Sequence, residues 1–121
     1  MSYSMEQKDT QFFMDKAGLE PARKAILAAM STFNWFKKRK ALTLEAAAAQ
    51  CDWALEFDDN DNVIGIEHLN DYQGQEEKLF AALAPYVRPG SFIQMIGEDG
   101  ELWRWSFDGV TCREQKPTVT W

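Results

Sequence analysis

The spacing of apolar residues changes at Trp53, from every third or fourth position to every second, and that change commits the chain to a fold that mixes helices with strands. Before it, Ala22, Ile26, Ala29, Met30 and Phe33 form one apolar stripe of helical period. Pro21 suits the first turn of that helix, where its missing N–H would have had no partner. The run Lys37-Lys38-Arg39-Lys40 is expected at the helix end, where positive charge complements the carbonyl end of the macrodipole. Thr10 is expected to cap a short helix through Phe12, Phe13 and Met14 that stops at Gly18, and Thr43 to start a third helix over 44–50.

Beyond the change, Trp53, Leu55 and Phe57 alternate with Ala54, Glu56 and Asp58, and the turn-forming run Asp59-Asn60-Asp61-Asn62 leads into a second apolar strand, so 53–69 reads as a hairpin. Helical spacing returns over 75–84 with Leu79, Phe80 and Leu83, and Pro85, Pro89 and Gly90 close it. Strands over 91–97, 101–107 and 110–114 then make a meander within 91–121, turned at Asp99-Gly100 and Asp108-Gly109, where glycine supplies the positive φ of a tight hairpin. Helix followed by hairpin thus occurs twice, over 43–69 and 75–107, an echo in element order and turn position rather than in residue identity. The fold expected is α+β: an antiparallel sheet of four to six strands packed against N-terminal helices and the helix at 75–84.

A chain of 121 residues holds one domain over 1–121. Its apolar share of 45% and charged share of 26% exclude disorder over most of its length. The longest uncharged stretch, 25–36, falls short of the roughly 20 residues a membrane helix needs. No basic start followed by an apolar run marks a secretory signal, so a cytoplasmic location is expected, with Cys51 and Cys112 kept as thiols.

The net charge of −6 conceals a division. Residues 1–40, the basic and helical part, carry eight Lys or Arg against four acids, a net +4; residues 41–121 carry five against fifteen, a net −10. Such asymmetry bears on partners rather than on fold.

Each candidate site has an ordinary reading beside the functional one. Asp58, Asn60 and Asn62 have the one-three-five spacing of calcium ligands, but Val63 stands where the loop needs glycine and Leu69 where it needs the bidentate glutamate, so a solvated turn is expected. His68 is the only histidine, and no second imidazole exists for a zinc set. Neither cysteine has a flanking motif that would make it a nucleophile, and no glycine-rich phosphate loop joins a strand to a helix. Glu98, Asp99 and Glu101 cluster at a turn tip, too wet to raise the carboxyl pKa that acid/base work requires. No metal, no cofactor and no catalytic set is therefore expected. Trp103, Trp105 and Phe107 share one strand face with Arg104 opposite, and form either core under the helices or an aromatic platform for a partner; Trp121 at the C-terminus adds an interface-type residue. The basic run beside Trp35 and Phe36 has the composition of a phosphate contact, yet the acidic remainder opposes a polyanion, and docking on the protein's own acidic sheet is the preferred expectation.

By elimination the chain reads as a small acidic, non-catalytic binding protein. Its class is expected to be that of immunity or antitoxin-type inhibitors, in which an acidic patch covers the basic groove of a toxin or nuclease. The partner-binding residues would be Asp58, Asp59, Asp61, Glu98, Asp99 and Glu101 on two hairpin tips, with Trp103 and Trp105. The rival is a small enzyme or ligand-binding domain whose apolar pocket would hold a buried charge such as Glu56, Glu67 or Arg104. A phage or mobile-element protein that neutralises a host defence would share the binding chemistry and differ in target.

Overall fold

A computed structural model of the chain describes residues 3–70 and 74–117. In chain order it contains β1 (Met5–Gln11), α1 (Leu19–Ala29), α2 (Leu44–Gln50), β2 (Trp53–Phe57), β3 (Val63–His68), α3 (Glu76–Leu83), β4 (Phe92–Gly97), β5 (Leu102–Phe107) and β6 (Cys112–Gln115), with single 3-10 turns at Lys16–Gly18, Lys38–Lys40 and Ala84–Tyr86. The chain is α+β. Four strands form an antiparallel sheet in the order β1-β4-β5-β6, and β2 with β3 form a separate antiparallel pair. A two-way backbone bridge between Met14 and Val63, at 3.0 and 2.9 Å, joins the pair to the end of the β1 segment.

One sheet face carries Ile93, Met95, Trp103, Trp105 and Phe107, all buried under the helices and the hairpin. Trp53 of β2, fully buried, lies at the centre, with its ring 5.2 Å from Phe80 of α3 and 6.2 Å from Trp105 of β5. Helix α1 contributes Ala22, Ile26 and the adjacent Met30, α2 contributes Leu44, Ala47 and Ala48, and α3 contributes Leu79, Phe80 and Leu83. The alternation of β5 places its aromatic residues inward and Leu102 and Arg104 outward.

Two expectations are corrected. The segment expected as a Thr10-capped helix is instead the continuation of β1: Phe12 and Met14 are both fully buried, and residues two apart share a side on a strand but point about 200° apart on a helix. The second concerns the basic run. Helix α1 ends at Ala29, so 37–40 lies in a separate 3-10 turn and does not face the helix carbonyls. Ser31 Oγ donates to Ala28 O, and Phe33 N and Phe36 N bond the carbonyls three residues back, which tightens the chain out of the α-helix and carries Phe36 into the core.

Candidate partner-binding surface

The turn after β2 is built by Asp58. Its Oδ1 accepts from Asn62 N at 2.9 Å and Asn60 N at 2.8 Å, and Asp58 N donates to Asn62 O at 2.9 Å. These donors, Asn62 N foremost, hold the Asp58 carboxyl below the ordinary aspartate pKa. Asp61 takes a left-handed φ of 64°, and Lys16 pins the turn from the other side, with N–H to Asn62 Oδ1 at 2.9 Å and Nζ 3.7 Å from Asp61. Asp58 is thus spent on turn geometry, while Asp59 and Asp61 are exposed.

Beside this turn lies a cleft of about 560 Å³ between the starts of α1 and α2, lined by Leu19, Leu42, Leu44 and Phe57, with Glu20, Glu45, Asp61 and Lys16 as its charged residues. Thr43 positions it. Its side chain accepts from Ala46 N at 3.1 Å and caps α2, which leaves Leu42 just outside the helix at 76% exposure. Of the rim acids, Glu20 is paired with Arg23 at 2.5 Å.

The second acidic tip is differently employed. Asp99 Oδ1 accepts from Tyr3 Oη at 2.6 Å and from Glu101 N at 3.1 Å, and Glu101 is ion-paired with Lys116. The bond to Asp99 pushes the Tyr3 phenol up to about 12. Glu98 N donates to Ser4 O, which ties this tip to the start of β1, whereas the Asp58 turn sits beside Met14 and Lys16. The nine residue steps from Met5 to Met14 span about 30 Å when extended, so the two tips lie beyond opposite ends of β1 and form no common patch.

Trp103 and Trp105 are 6% and 4% exposed, and Phe107 is buried beside them, so the aromatic face is core. Trp121 lies outside the described residues. The charged groups proposed for a ligand pocket are also at the surface: Glu56 and Glu67 are exposed along an open groove beside β1, and Arg104 lies 4.0 Å over the Phe92 ring with its Nε bonded to Gln94. The buried carboxylate is one the sequence reading missed. Glu76, 3% exposed, accepts from Trp53 Nε1 at 3.2 Å and Gly74 N at 2.6 Å, and it lines a cleft of about 600 Å³ with Trp105, Cys112 and Glu114. Its signal was an acid in the first helical turn, a common feature of helix starts that does not announce burial.

His68 packs against Trp53 with ring centroids 4.5 Å apart, and its backbone N–H donates to Gln7 Oε1. Burial, followed by nearby carboxylates, pushes the thiols of Cys51 and Cys112 up to about 12, the reverse of an activated nucleophile. Among the described residues no three His, Cys, Asp or Glu side chains stand together in a way that could hold a metal ion, and no helix is long and apolar enough to cross a membrane. Comparison with protein-family models, curated proteins and solved structures gives no match to this chain.

Proposed function

We propose that the protein is a small acidic, non-catalytic binding protein of the immunity or antitoxin type, which covers the basic surface of a toxin or nuclease with the end of the molecule that carries the Asp58 turn. The observation that supports this is the apolar cleft beside Leu42, whose rim carries Glu20, Glu45 and Asp61 against the single cation Lys16, with Asp59 exposed on the adjoining turn. An apolar centre with a charged rim is the anatomy of a protein interface: the centre supplies affinity, and the rim steers a partner of opposite sign. Inhibition would follow from occlusion, without any bond being made or broken. A cytoplasmic site of action suits two cysteines that are free thiols. An anti-defence protein would use the same surface against another target.

The test is capture of the partner from its native cell, followed by association rates of Asp59→Lys, Leu42→Asp and Glu98→Lys variants across salt. Asp59→Lys is expected to slow association most at low salt, where the Debye length is about 30 Å, and Leu42→Asp to speed dissociation. Glu98→Lys, at the far end of β1, is expected to bind as the unaltered protein does. Unchanged rates for the first two variants would refute this surface and favour a ligand domain built on the Glu76 cleft, where a buried carboxylate lines a cavity.

A further inference from the structure

The acidic end leaves the basic run unexplained. Lys38, Arg39 and Lys40 are exposed and make no side-chain hydrogen bond or ion pair among the described residues, so the run does not dock on the protein's own acids. Its backbone is nevertheless held. Gln50 clamps Lys37 twice, accepting from its N–H at 2.7 Å and donating to its carbonyl at 2.9 Å, and Phe36 anchors the turn in the core at 6% exposure. Next to it Trp35 is 46% exposed and stacks on Phe33, with centroids 5.4 Å apart and planes 23° from parallel. Lys78 of α3 adds a fifth cation from another element, its Nζ 5.2 Å over the Phe33 ring.

We propose that this turn binds single-stranded nucleic acid, with phosphates on the 37–40 run and an unpaired base stacked on Trp35. The run alone would suit any polyanion; the exposed indole selects among them. A base in a duplex is already stacked on its neighbours and cannot reach Trp35, whereas a single strand presents its bases to an aromatic surface. A membrane would require several apolar side chains to enter the lipid, and Met30 and Phe36 of this segment are buried in the core. Pre-ordering by Gln50 and Phe36 places the cations at no further cost in backbone entropy on binding. The site shares no residue with the lining of the Leu42 cleft and does not depend on the inhibitor reading.

The full chain is titrated into labelled oligothymidine of about 15 nucleotides, and into a duplex of the same length, at about 20 mM salt and upward. Tighter binding of the single strand is expected, with a slope of log K on log salt of about −3.5, since five cations release roughly 0.7 counterion each. Trp35→Ala should weaken binding about tenfold while Trp35→Phe keeps most of it. Lys38→Glu with Arg39→Glu should remove it, and Leu42→Ala, which alters the cleft without altering charge, should leave it unchanged. Trp35 is only about half buried, so Trp35→Ala should still fold, as circular dichroism would verify. No binding at low salt, equal affinity for duplex with Trp35→Ala silent, or retention on phosphatidylserine vesicles without oligonucleotide binding would each overturn the proposal. So would a salt-sensitive dimer that ignores oligothymidine, because the run would then be meeting the acids of a second copy.

Discussion

Asp108 shows how much one side chain settles when its partners are local. Its carboxylate accepts from Thr111 N at 2.7 Å, Val110 N at 2.9 Å and Thr111 Oγ1 at 2.9 Å, and these bonds lower its pKa from 3.8 to about 2. Between those values the unfolded chain binds more protons than the folded one, so this contribution is present above about pH 4 and is lost as the pH falls toward 2. Urea midpoints measured across this range should fall with pH, and Asp108→Asn should flatten that dependence. The thiols make the opposite case: with Cys51 and Cys112 pushed up to about 12, only about one in ten thousand is a thiolate at pH 8. Thiol reagents should therefore leave both almost untouched until denaturant is added. Glu76 is structural on its geometry. Glu76→Gln keeps an acceptor for Trp53 Nε1 and should be mild, whereas Glu76→Leu strands that donor and the N–H of Gly74 at a cost of about 1–3 kcal/mol each.

Among the elements, β5 has the clearest energetic consequence. Trp105 touches Trp53, Phe80 and Trp103 rings at 4.9–6.2 Å, so Trp105→Ala should destabilise the fold by about 3–5 kcal/mol in chemical denaturation. The turn from β4 to β5 offers a subtler test. A Cβ at Gly97 would stand 1.7 Å from Tyr3 Oη and 2.5 Å from Tyr3 Cζ, so Gly97→Ala must expel the Tyr3 ring from its place beside Asp99. The Tyr3 phenol should then titrate near 10 rather than about 12, a shift visible in the ultraviolet absorbance of tyrosinate. Most elements were legible because their signals are local. Thr43 as cap and the alternation of Trp53, Leu55 and Phe57 needed no knowledge of what packs on them. Strand β1 was hidden by a bulge: the register with β4 shifts between Gln7 and Asp9, and the extra residue moves the inward face from odd positions, as at Met5, to even ones, as at Phe12 and Met14.

For the whole molecule, the decisive quantity is where its charges come to rest. A net of −6 describes neither end: an acidic turn beside an apolar cleft lies at one end of β1, an acidic tip engaged by Tyr3 and Lys116 lies at the other, and a cationic turn lies between α1 and α2. Sequence by itself determined α2, α3, the start of α1, the hairpin and the meander, because hydrophobic period and turn chemistry belong to neighbouring residues and survive in any packing. It also determined that residues 58–62 would make a turn, since turn-forming residue types are read from the segment itself. Only the tertiary structure decided that residues 5–11 are a strand, because that strand exists by pairing with β4 more than eighty residues away. It likewise decided that Trp103 and Trp105 are core and that the two acidic tips are separate surfaces. Burial and distance are set by which elements meet across the sheet, and no spacing along a single segment encodes that meeting.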